Sequence, residues 1–350
     1  MIPMSKTVAI GKIKIGGGNP VAVQTMSTLR PSDTFNAEKE AQRLKDLGCD
    51  ILRYAVTDEK DAGSFREIKK RVDLPLVADI HYDYKLALAA IDGGADKIRI
   101  NPGNIGGEKE VKLVAAALKD SGIPVRVGAN AGSIEKEFLA KYGRNEVSLG
   151  ESALKNAAIL EKCGVDNIVI SVKASDVALT VKAYEYVAAR TDYPLHIGVT
   201  EAGTAYMGTV KNSIGIGALL LKGIGDTIRV SLSAPTEEEV RAGRAILSAL
   251  DLSDGAKIIA CPTCARCAWN CADFAKKTEE FTRGIKKNIK IAVMGCAVNG
   301  IGESEGADLG VAGAGKGECV VFVKGKIIKK VSETELEKVF FGEIEKCIRN

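Results

Sequence analysis

Four of the chain's nine cysteines lie in one short segment, CPTCARCAWNC, at residues 261–271. Two, two and three residues separate successive cysteines, a spacing with which proteins hold iron–sulfur clusters. Nine is an odd number, and cysteines spread over 350 residues do not indicate a disulfide framework. We therefore expect reduced thiols in a cytoplasmic protein, some of them bound to metal.

A fifth cysteine, Cys296, and an acidic residue, Glu303, follow in the segment MGCAVNGIGESEG at 294–306. A C-x2-C pair with a distant third cysteine is a common way to hold an iron–sulfur cluster. Structural zinc usually takes two separated pairs of ligands, and the second pair is missing here, so zinc is the less favoured metal. The residues alone leave open which thiols bind.

Charged and polar side chains also collect at the ends of eight short apolar runs. These runs are VAVQTM (21–26), ILRYAV (51–56), PLVADI (75–80), KIRI (97–100), PVRVGAN (124–130), NIVISVK (167–173), LHIGVT (195–200) and TIRVSL (227–232). Their C-terminal ends carry Arg53, Asp79, His81, Arg99, Asn101, Arg126, Asn130, Lys173, Glu201, Arg229 and Ser231. Four arginines and a lysine need more counter-charge than two acids supply. A substrate with more than one phosphate, which arginine binds in a bidentate manner, would provide it.

The segments between the runs have helical periodicity, for example at 36–48, 84–94 and 175–190. Strands that alternate with helices predict a parallel sheet, and eight such units over about 250 residues predict a (β/α)8 TIM barrel. All the strand ends would then lie at one mouth, where barrel enzymes keep their active sites. A doubly wound open sheet is the alternative. The opening segment VAIGKIKIGGG is expected to form a hairpin that plugs the barrel bottom.

The sequence changes character after LDLSDGAK (250–257), becoming glycine-rich, with a predicted hairpin at 320–331 that turns at Lys324–Gly325. We therefore predict a barrel domain over 1–253 and a smaller α+β domain over 254–350. A net charge of +4 from 49 basic and 45 acidic residues does not indicate nucleic-acid binding. The chain has no apolar run of membrane-spanning length and no signal peptide, so no membrane association is expected.

Seven motifs together resemble one known family along nearly the whole chain. They are VADIHYDYKLAL (77–88), RINPGNIG (99–106), VGANAGS (127–133), SVKASD (171–176), GVTEAG (198–203), CPTC (261–264) and GCAVNGIGE (295–303). The family is bacterial 4-hydroxy-3-methylbut-2-en-1-yl diphosphate synthase, of the non-mevalonate isoprenoid pathway. The resemblance implies a TIM barrel followed by a domain with one [4Fe–4S] cluster per chain. It also implies an oxidoreductase that uses flavodoxin, ferredoxin or both, and that opens and dehydroxylates 2-C-methyl-D-erythritol 2,4-cyclodiphosphate with two electrons.

The resemblance also implies the cluster ligands, which are Cys261, Cys264, Cys296 and Glu303. The chain departs from the family pattern because Cys267 and Cys271 extend the cysteine run and Ile301 stands where the family often has proline. A site with Cys267 in place of Glu303 is therefore an alternative. We favour Glu303, since a carboxylate is a harder and more exchangeable iron ligand than a thiolate and can give way to a substrate oxygen.

For the diphosphate, the resemblance implies a set of seven side chains, nearly the set that the strand ends supply. These are Arg53, His81, Arg99, Arg126, Asn130, Lys173 and Ser231. Glu201 corresponds to a carboxylate near the substrate's carbon skeleton. A proton donor is needed as the hydroxyl leaves, and Glu201 and His81 are both candidate catalytic residues. The second histidine, His196, lies inside an apolar run and is expected to be structural.

The last barrel helix runs antiparallel to the strands and so brings the chain to the barrel end opposite the mouth. A cluster domain tethered there by the short connection at 250–257 reaches a second subunit's mouth more easily than its own. We therefore predict a homodimer in which each cluster domain caps the partner barrel, as the resemblance also implies. Two other functions remain open. One is an electron carrier that uses Cys267 as a ligand; the other is a barrel aldolase or isomerase with structural zinc and Lys173 as Schiff-base former.

Overall fold

A computed structural model describes residues 4–296, 302 and 306–349. The chain divides into two compact units, Met1–Leu252 and Ser253–Asn350. Among the described residues, no helix is both long enough and apolar enough to cross a membrane.

The first unit begins with a short antiparallel hairpin of β1 (Val8–Ile10) and β2 (Ile13–Ile15). Eight further strands form one parallel sheet: β3 (Ala22–Met26), β4 (Ile51–Ala55), β5 (Leu76–Asp79), β6 (Lys97–Ile100), β7 (Val125–Asn130), β8 (Ile168–Lys173), β9 (His196–Ile197) and β10 (Thr227–Ile228). Their order is β8-β7-β6-β5-β4-β3-β10-β9. A parallel bridge between Ile170 and Leu195 joins the two end strands. The ring is thereby closed, so the TIM-barrel prediction is confirmed and the open-sheet alternative is wrong.

Helices alternate with these strands around the barrel. They are α1 (Thr34–Asp46), α2 (Glu59–Arg71), α3 (Tyr84–Asp92), α4 (Glu108–Ser121), α5 (Lys136–Tyr142), α6 (Glu146–Lys162), α7 (Val177–Ala188), α8 (Ala205–Leu220) and α9 (Thr236–Ala249). The helices predicted at 36–48, 84–94 and 175–190 correspond to α1, α3 and α7. Aspartates at several N-caps accept hydrogen bonds from the first-turn amides, as Asp176 does from Leu179, and this explains where those helices start.

Side chains along each barrel strand alternate between two environments. Those that point outward, such as Ile98 and Ile170, pack with the helices in one large apolar core. At the barrel bottom, several strands also have apolar inward positions. There Ile51 and Val169 pack against Ile10 of the hairpin. The predicted plug is therefore confirmed.

In its described residues, the second unit has a five-stranded mixed sheet with helices packed against it. Its strands are β11 (Ala256–Ala260), β12 (Ile289–Met294), β13 (Leu309–Gly315), β14 (Glu318–Val323) and β15 (Lys326–Ser332), paired in that order. The first two pairings are parallel and the last two antiparallel. Helices α10 (Cys271–Thr282) and α11 (Glu333–Arg349) supply Phe274 and Phe340 to its core. The predicted α+β class and the hairpin at Lys324–Gly325 are confirmed.

Candidate active site

Four cations lie inside the barrel at the mouth end of neighbouring strands. Arg53, Arg99, Arg126 and Lys173 are between 3% and 8% exposed. The strand register places Asp79 beside Arg99, and Arg99 beside Arg126, on three adjacent strands. The sequence prediction that these residues share one mouth therefore agrees with the positions that the structure gives them.

Asp79 is the carboxylate at the centre of this group. Its Oδ1 accepts a hydrogen bond from Nη1 of Arg99 at 3.1 Å, and its Oδ2 lies 3.7 Å from Nε of Arg53. Burial by itself raises the pKa of Asp79. The positive charge of Arg53, the contact with His81 and the charges of the other arginines outweigh burial and hold this pKa well below its usual range.

The cations exceed the acids that face them. Among the described residues, Arg126, Lys97 and Lys173 have no carboxylate within ion-pair distance. Burial, followed by the charges of neighbouring cations, lowers the pKa of each of these three groups well below its ordinary value. Burial likewise lowers the pKa of Arg53 to about 10. The interior therefore carries strong positive potential that a bound anion would relieve.

Several buried donors at the mouth also lack partners. Nε and Nη1 of Arg126 and Nε of Arg99 are buried without a hydrogen-bond acceptor among the described residues. Buried guanidinium donors are normally satisfied, so unpaired ones need an explanation. Phosphate oxygens, which accept charge-assisted hydrogen bonds in the geometry of the guanidinium fork, would satisfy them.

The remaining predicted substrate residues lie at the rim. Asn130 is half-buried at the end of β7 and is in register with Lys173, and Ser231 is half-buried beyond β10. His81 is exposed, with Nε2 at 3.1 Å from Nη1 of Arg99. Glu201 is exposed and has a φ of 51°, a left-handed conformation that is uncommon outside glycine.

His196 is fully buried inside the barrel, in agreement with the structural role predicted for it. Its Nδ1 lies 2.8 Å from Oγ1 of Thr227, and its Nε2 lies 3.3 Å from Nζ of Lys173. Burial and the neighbouring charge of Lys173 lower the pKa of His196 well below its usual value. The His196 ring therefore links Thr227 to Lys173 inside the barrel, a contact that sequence reasoning missed.

Sequence reasoning also missed two residues that shape the charge of the interior. Lys97 is fully buried on β6 and donates to Oε1 of Gln24 at 3.1 Å. Glu239 on α9 contacts Arg229, with Oε1 at 3.3 Å from Nη2, and accepts from Oγ1 of Thr25 at 2.6 Å. Lys97 could have been found from strand alternation, because it lies two positions before Arg99 and so shares its face.

Two of the predicted metal ligands of the second unit lie just beyond neighbouring strand ends of its sheet. Cys261 and Cys296 follow the C-terminal ends of β11 and β12, which are adjacent parallel strands. The amide of Cys261 donates to the carbonyl of Val293 at 3.0 Å. The segment that carries Cys264 is held to the same strand ends, since the indole of Trp269 donates to the carbonyl of Met294 at 2.9 Å.

The donor chemistry of the described candidate ligands is that of an iron–sulfur site. The backbone N–H of Arg266, and then its positive charge, lower the pKa of the exposed Cys264 thiol, which favours the thiolate that iron binds. Among the described residues, no three His, Cys, Asp or Glu side chains are close enough to hold a single metal ion. A [4Fe–4S] cluster makes no such demand, because each ligand binds a different iron. Glu303 lies outside the described residues.

Cys267 and Cys271 face each other, with their Sγ atoms 3.4 Å apart. Burial, and then the hydrogen bond with Cys267, raise the pKa of Cys271 to about 12. The Sγ of Cys267 also lies 3.0 Å from the carbonyl oxygen of Trp269. The two thiols that extend the cysteine run are therefore in contact with each other.

Comparison with known proteins gives matches to both units. Family profiles described as the GcpE TIM-barrel domain and the GcpE protein C-terminal domain match residues 5–244 and 257–346. A relative from Caldanaerobacter subterraneus subsp. tengcongensis is 52% identical over 351 residues, which cover 100% of this chain and 99% of the relative. One from Bacillus subtilis is 50% identical, with 97% of this chain and 91% of the relative covered. Both are named 4-hydroxy-3-methylbut-2-en-1-yl diphosphate synthase (flavodoxin).

Comparison with solved structures gives matches of lower identity. Dihydropteroate synthase from Xanthomonas albilineans, in complex with 7,8-dihydropteroate, superposes with a TM-score of 0.51 at 14% sequence identity. The match covers 71% of this chain and 98% of that protein. At this identity the similarity is one of fold.

Proposed function

Because the chain belongs to the GcpE family, we propose that it is an oxidoreductase of isoprenoid precursor biosynthesis. It reduces 2-C-methyl-D-erythritol 2,4-cyclodiphosphate, the substrate that the family resemblance implies, to 4-hydroxy-3-methylbut-2-en-1-yl diphosphate, the product in the names of its relatives. Residues 1–253 bind the substrate, and residues 254–350 carry the redox centre.

The single observation that supports the substrate most directly is the set of unpaired donors in the barrel. Arg126 is 3% exposed, yet two of its guanidinium nitrogens have no acceptor among the described residues. Arg99 adds a third such nitrogen on the neighbouring strand. A cyclic diphosphate brings several phosphate oxygens and two or more negative charges, and so matches both the donors and the excess of cations.

The other mouth residues have distinct tasks in this proposal. Arg53 and Lys173 add positive charge that acts on Arg126, and Asn130 and Ser231 donate hydrogen bonds at the rim. His81 is held by Nη1 of Arg99 at 3.1 Å and lies 3.6 Å from Oδ2 of Asp79. This position lets it contact the diphosphate and hold a proton for the departing hydroxyl. Glu201, exposed after β9, is the alternative proton donor.

In the second unit, Cys261, Cys264, Cys296 and Glu303 would hold one [4Fe–4S] cluster, which supplies the electrons of the reduction when it is bound. Flavodoxin is the electron donor, on the basis of the relatives' names; ferredoxin is a second candidate. The enzyme acts in the cytoplasm as a homodimer whose cluster domains cap the partner barrels. The short connection after α9 supports this arrangement, since α9 ends at Ala249 and β11 begins at Ala256.

Electron paramagnetic resonance of the reduced, anaerobically reconstituted protein tests the proposal, with and without the cyclodiphosphate. We expect a [4Fe–4S] signal whose shape changes when substrate is added. Arg126→Gln should abolish the change at a substrate concentration that saturates the wild type, because it removes the buried fork. Arg190→Gln, which alters an exposed arginine of the barrel, is the matched control and should keep the change.

Three results would contradict the proposal in different ways. A cluster signal indifferent to substrate would favour an electron carrier. Zinc without acid-labile sulfide would favour the barrel enzyme with structural zinc. Equal responses from the two arginine variants would remove Arg126 from the substrate site.

A further inference from the structure

Cys267 and Cys271 have no task in the proposed reaction, although they belong to the same cysteine run as two of the metal ligands. Their Sγ atoms lie 3.4 Å apart. Cys271 opens helix α10 and is 1% exposed, whereas Cys267 is half-buried in the turn before it. This is a pair of thiols in contact, one reachable from solvent and one covered.

Gly295 leaves space for both sulfur atoms because it has no side chain. A Cβ placed on Gly295 would lie 2.8 Å from Sγ of Cys267 and 3.4 Å from Sγ of Cys271. Any residue other than glycine at this position would therefore push against the Cys267 thiol and touch that of Cys271. Gly295 directly precedes Cys296, so the pair packs against the backbone that carries a predicted metal ligand.

We propose that Cys267 and Cys271 form a redox-active dithiol, which low-molecular-weight disulfides oxidise to an intramolecular disulfide. The thiolate of Cys267 attacks the small disulfide, forms a mixed disulfide and releases one small thiolate. Cys271 then loses its proton, and its thiolate attacks Sγ of Cys267, breaks the mixed disulfide and releases the second small thiolate. Counted from two thiols, the cysteines lose two electrons and two protons, and the small disulfide ends as two thiols that carry them.

Oxidation would also act on the cluster segment. A disulfide requires an S–S distance of about 2.0 Å, so the two sulfurs must approach by roughly 1.4 Å from their separation of 3.4 Å. Between the two cysteines, the amide of Ala268 donates to the carbonyl of Gly295 at 2.9 Å. The indole of Trp269 donates a second hydrogen bond to the same strand end, at the carbonyl of Met294. Closing the disulfide therefore strains the contacts that hold the segment of Cys264 against the strand end before Cys296.

The test uses the anaerobically reconstituted holoenzyme and 4,4′-dithiodipyridine, with released thiopyridone measured by absorbance and the product by peptide mass spectrometry. In the wild type we expect a Cys267–Cys271 disulfide that is two hydrogens lighter, with no adduct left. Cys271→Ser should trap a stable pyridyl adduct on Cys267, and Cys267→Ser should remove the reaction at this pair. Cys347→Ser, which removes a half-buried thiol elsewhere in the second unit, is the matched control and should behave as the wild type.

The visible absorbance of the cluster, followed in the same samples, tests the coupling. We expect faster cluster loss in the oxidised wild type than in the Cys267→Ser/Cys271→Ser double variant under the same treatment. A stable adduct on wild-type Cys267 would overturn the dithiol, and equal cluster loss would overturn the coupling. If Cys267 reacted only after the cluster was removed, it would be a metal ligand and the inference would fail. The paramagnetic resonance signal of the cluster would still change with substrate in that case. Failure of the dithiol inference is therefore distinct from failure of the proposed function.

Discussion

Replacing Asp79 by asparagine removes one negative charge from the barrel mouth while leaving the shape of the side chain. Asp79 is 4% exposed and contacts Arg53 and Arg99, whose own charges are also buried. Removing one partner from a buried ion pair costs about 3–5 kcal/mol, because the remaining charges are left uncompensated. In a unit of this size, each kcal/mol lost from the free energy of unfolding lowers the melting temperature by about 2–4 °C. The barrel of the variant should therefore melt roughly 10 °C below that of the wild type.

The stability that Asp79 contributes depends on pH in a direction that its pKa determines. The pKa of Asp79 in the folded state is held below its value in the unfolded chain. Its contribution to the free energy of unfolding is therefore complete above the unfolded pKa of about 3.9 and is lost as the pH falls through the folded pKa. The difference between wild type and Asp79→Asn should be full at pH 7 and should shrink below about pH 4.

Urea unfolding followed by far-UV circular dichroism measures this difference. Fluorescence of Trp269, the chain's single tryptophan, reports separately on the second unit and should not change. Asp92→Asn is the control, since Asp92 pairs with Arg66 on the surface, where such pairs contribute about 1 kcal/mol or less. Inorganic pyrophosphate should raise the midpoint of Asp79→Asn more than that of the wild type, because it supplies the missing counter-charge. If Asp79→Asn lost no more free energy of unfolding than Asp92→Asn, the reasoning would be refuted.

Two further predictions concern the buried interior. Burial lowers the pKa of Lys97, so its folded form binds a proton less readily than the unfolded chain, and wild-type stability rises with pH toward the unfolded pKa of about 10.4. Lys97→Met should therefore raise the free energy of unfolding by about 1–4 kcal/mol at pH 7, and its advantage should shrink as the pH approaches 10. His196→Phe deprives Lys173 of its acceptor and should weaken pyrophosphate binding about tenfold by isothermal titration calorimetry, which corresponds to about 1.4 kcal/mol.

The controls for these variants are residues of the same type in open surroundings. Lys14→Met changes an exposed lysine of the hairpin and should leave the pH profile of stability unchanged. For the histidine, pyrophosphate affinity equal to that of the wild type would mean that Lys173 needs no acceptor. A Lys97→Met protein that is less stable than the wild type at pH 7 would mean that the amine of Lys97 has a counter-charge in solution.

The barrel could be read from sequence because each strand is a short apolar run followed by a polar side chain. The eight runs correspond to eight strands, and the helices between them are stopped by glycines such as Gly48 and Gly94, both at positive φ. Strand length was less predictable. The runs at 195–200 and 227–232 contain only two strand residues each. Just after β9, Gly198 allows a close backbone approach, since a Cβ there would lie 2.2 Å from the carbonyl oxygen of Arg229.

The mouth residues could be predicted one by one, but their partners could not. That Asp79 pairs with Arg53 and Arg99 depends on the register between adjacent strands, which periodicity does not specify. Glu239 reaches Arg229 from a helix on the outside of the barrel, and no local pattern marks it. Likewise, the spacing of Cys267 and Cys271 suggested ligands, and only the turn before α10 brings their sulfurs into contact.

The closure of the barrel has a consequence for how the chain acquires its structure. The ring is sealed where β10 pairs with β3 and where Leu195 meets Ile170, and the first of these contacts joins residues about two hundred positions apart. Contacts so distant along the chain form late, because the entropy cost of closing a long loop precedes the stabilisation that the contacts provide. Until the barrel closes, Arg53, Arg99 and Arg126 stay hydrated in the partly formed sheet. They lose their hydration water only when the ring is completed. We therefore expect the slowest folding phase to be the one that dehydrates these arginines, and phosphate-containing buffer to accelerate it.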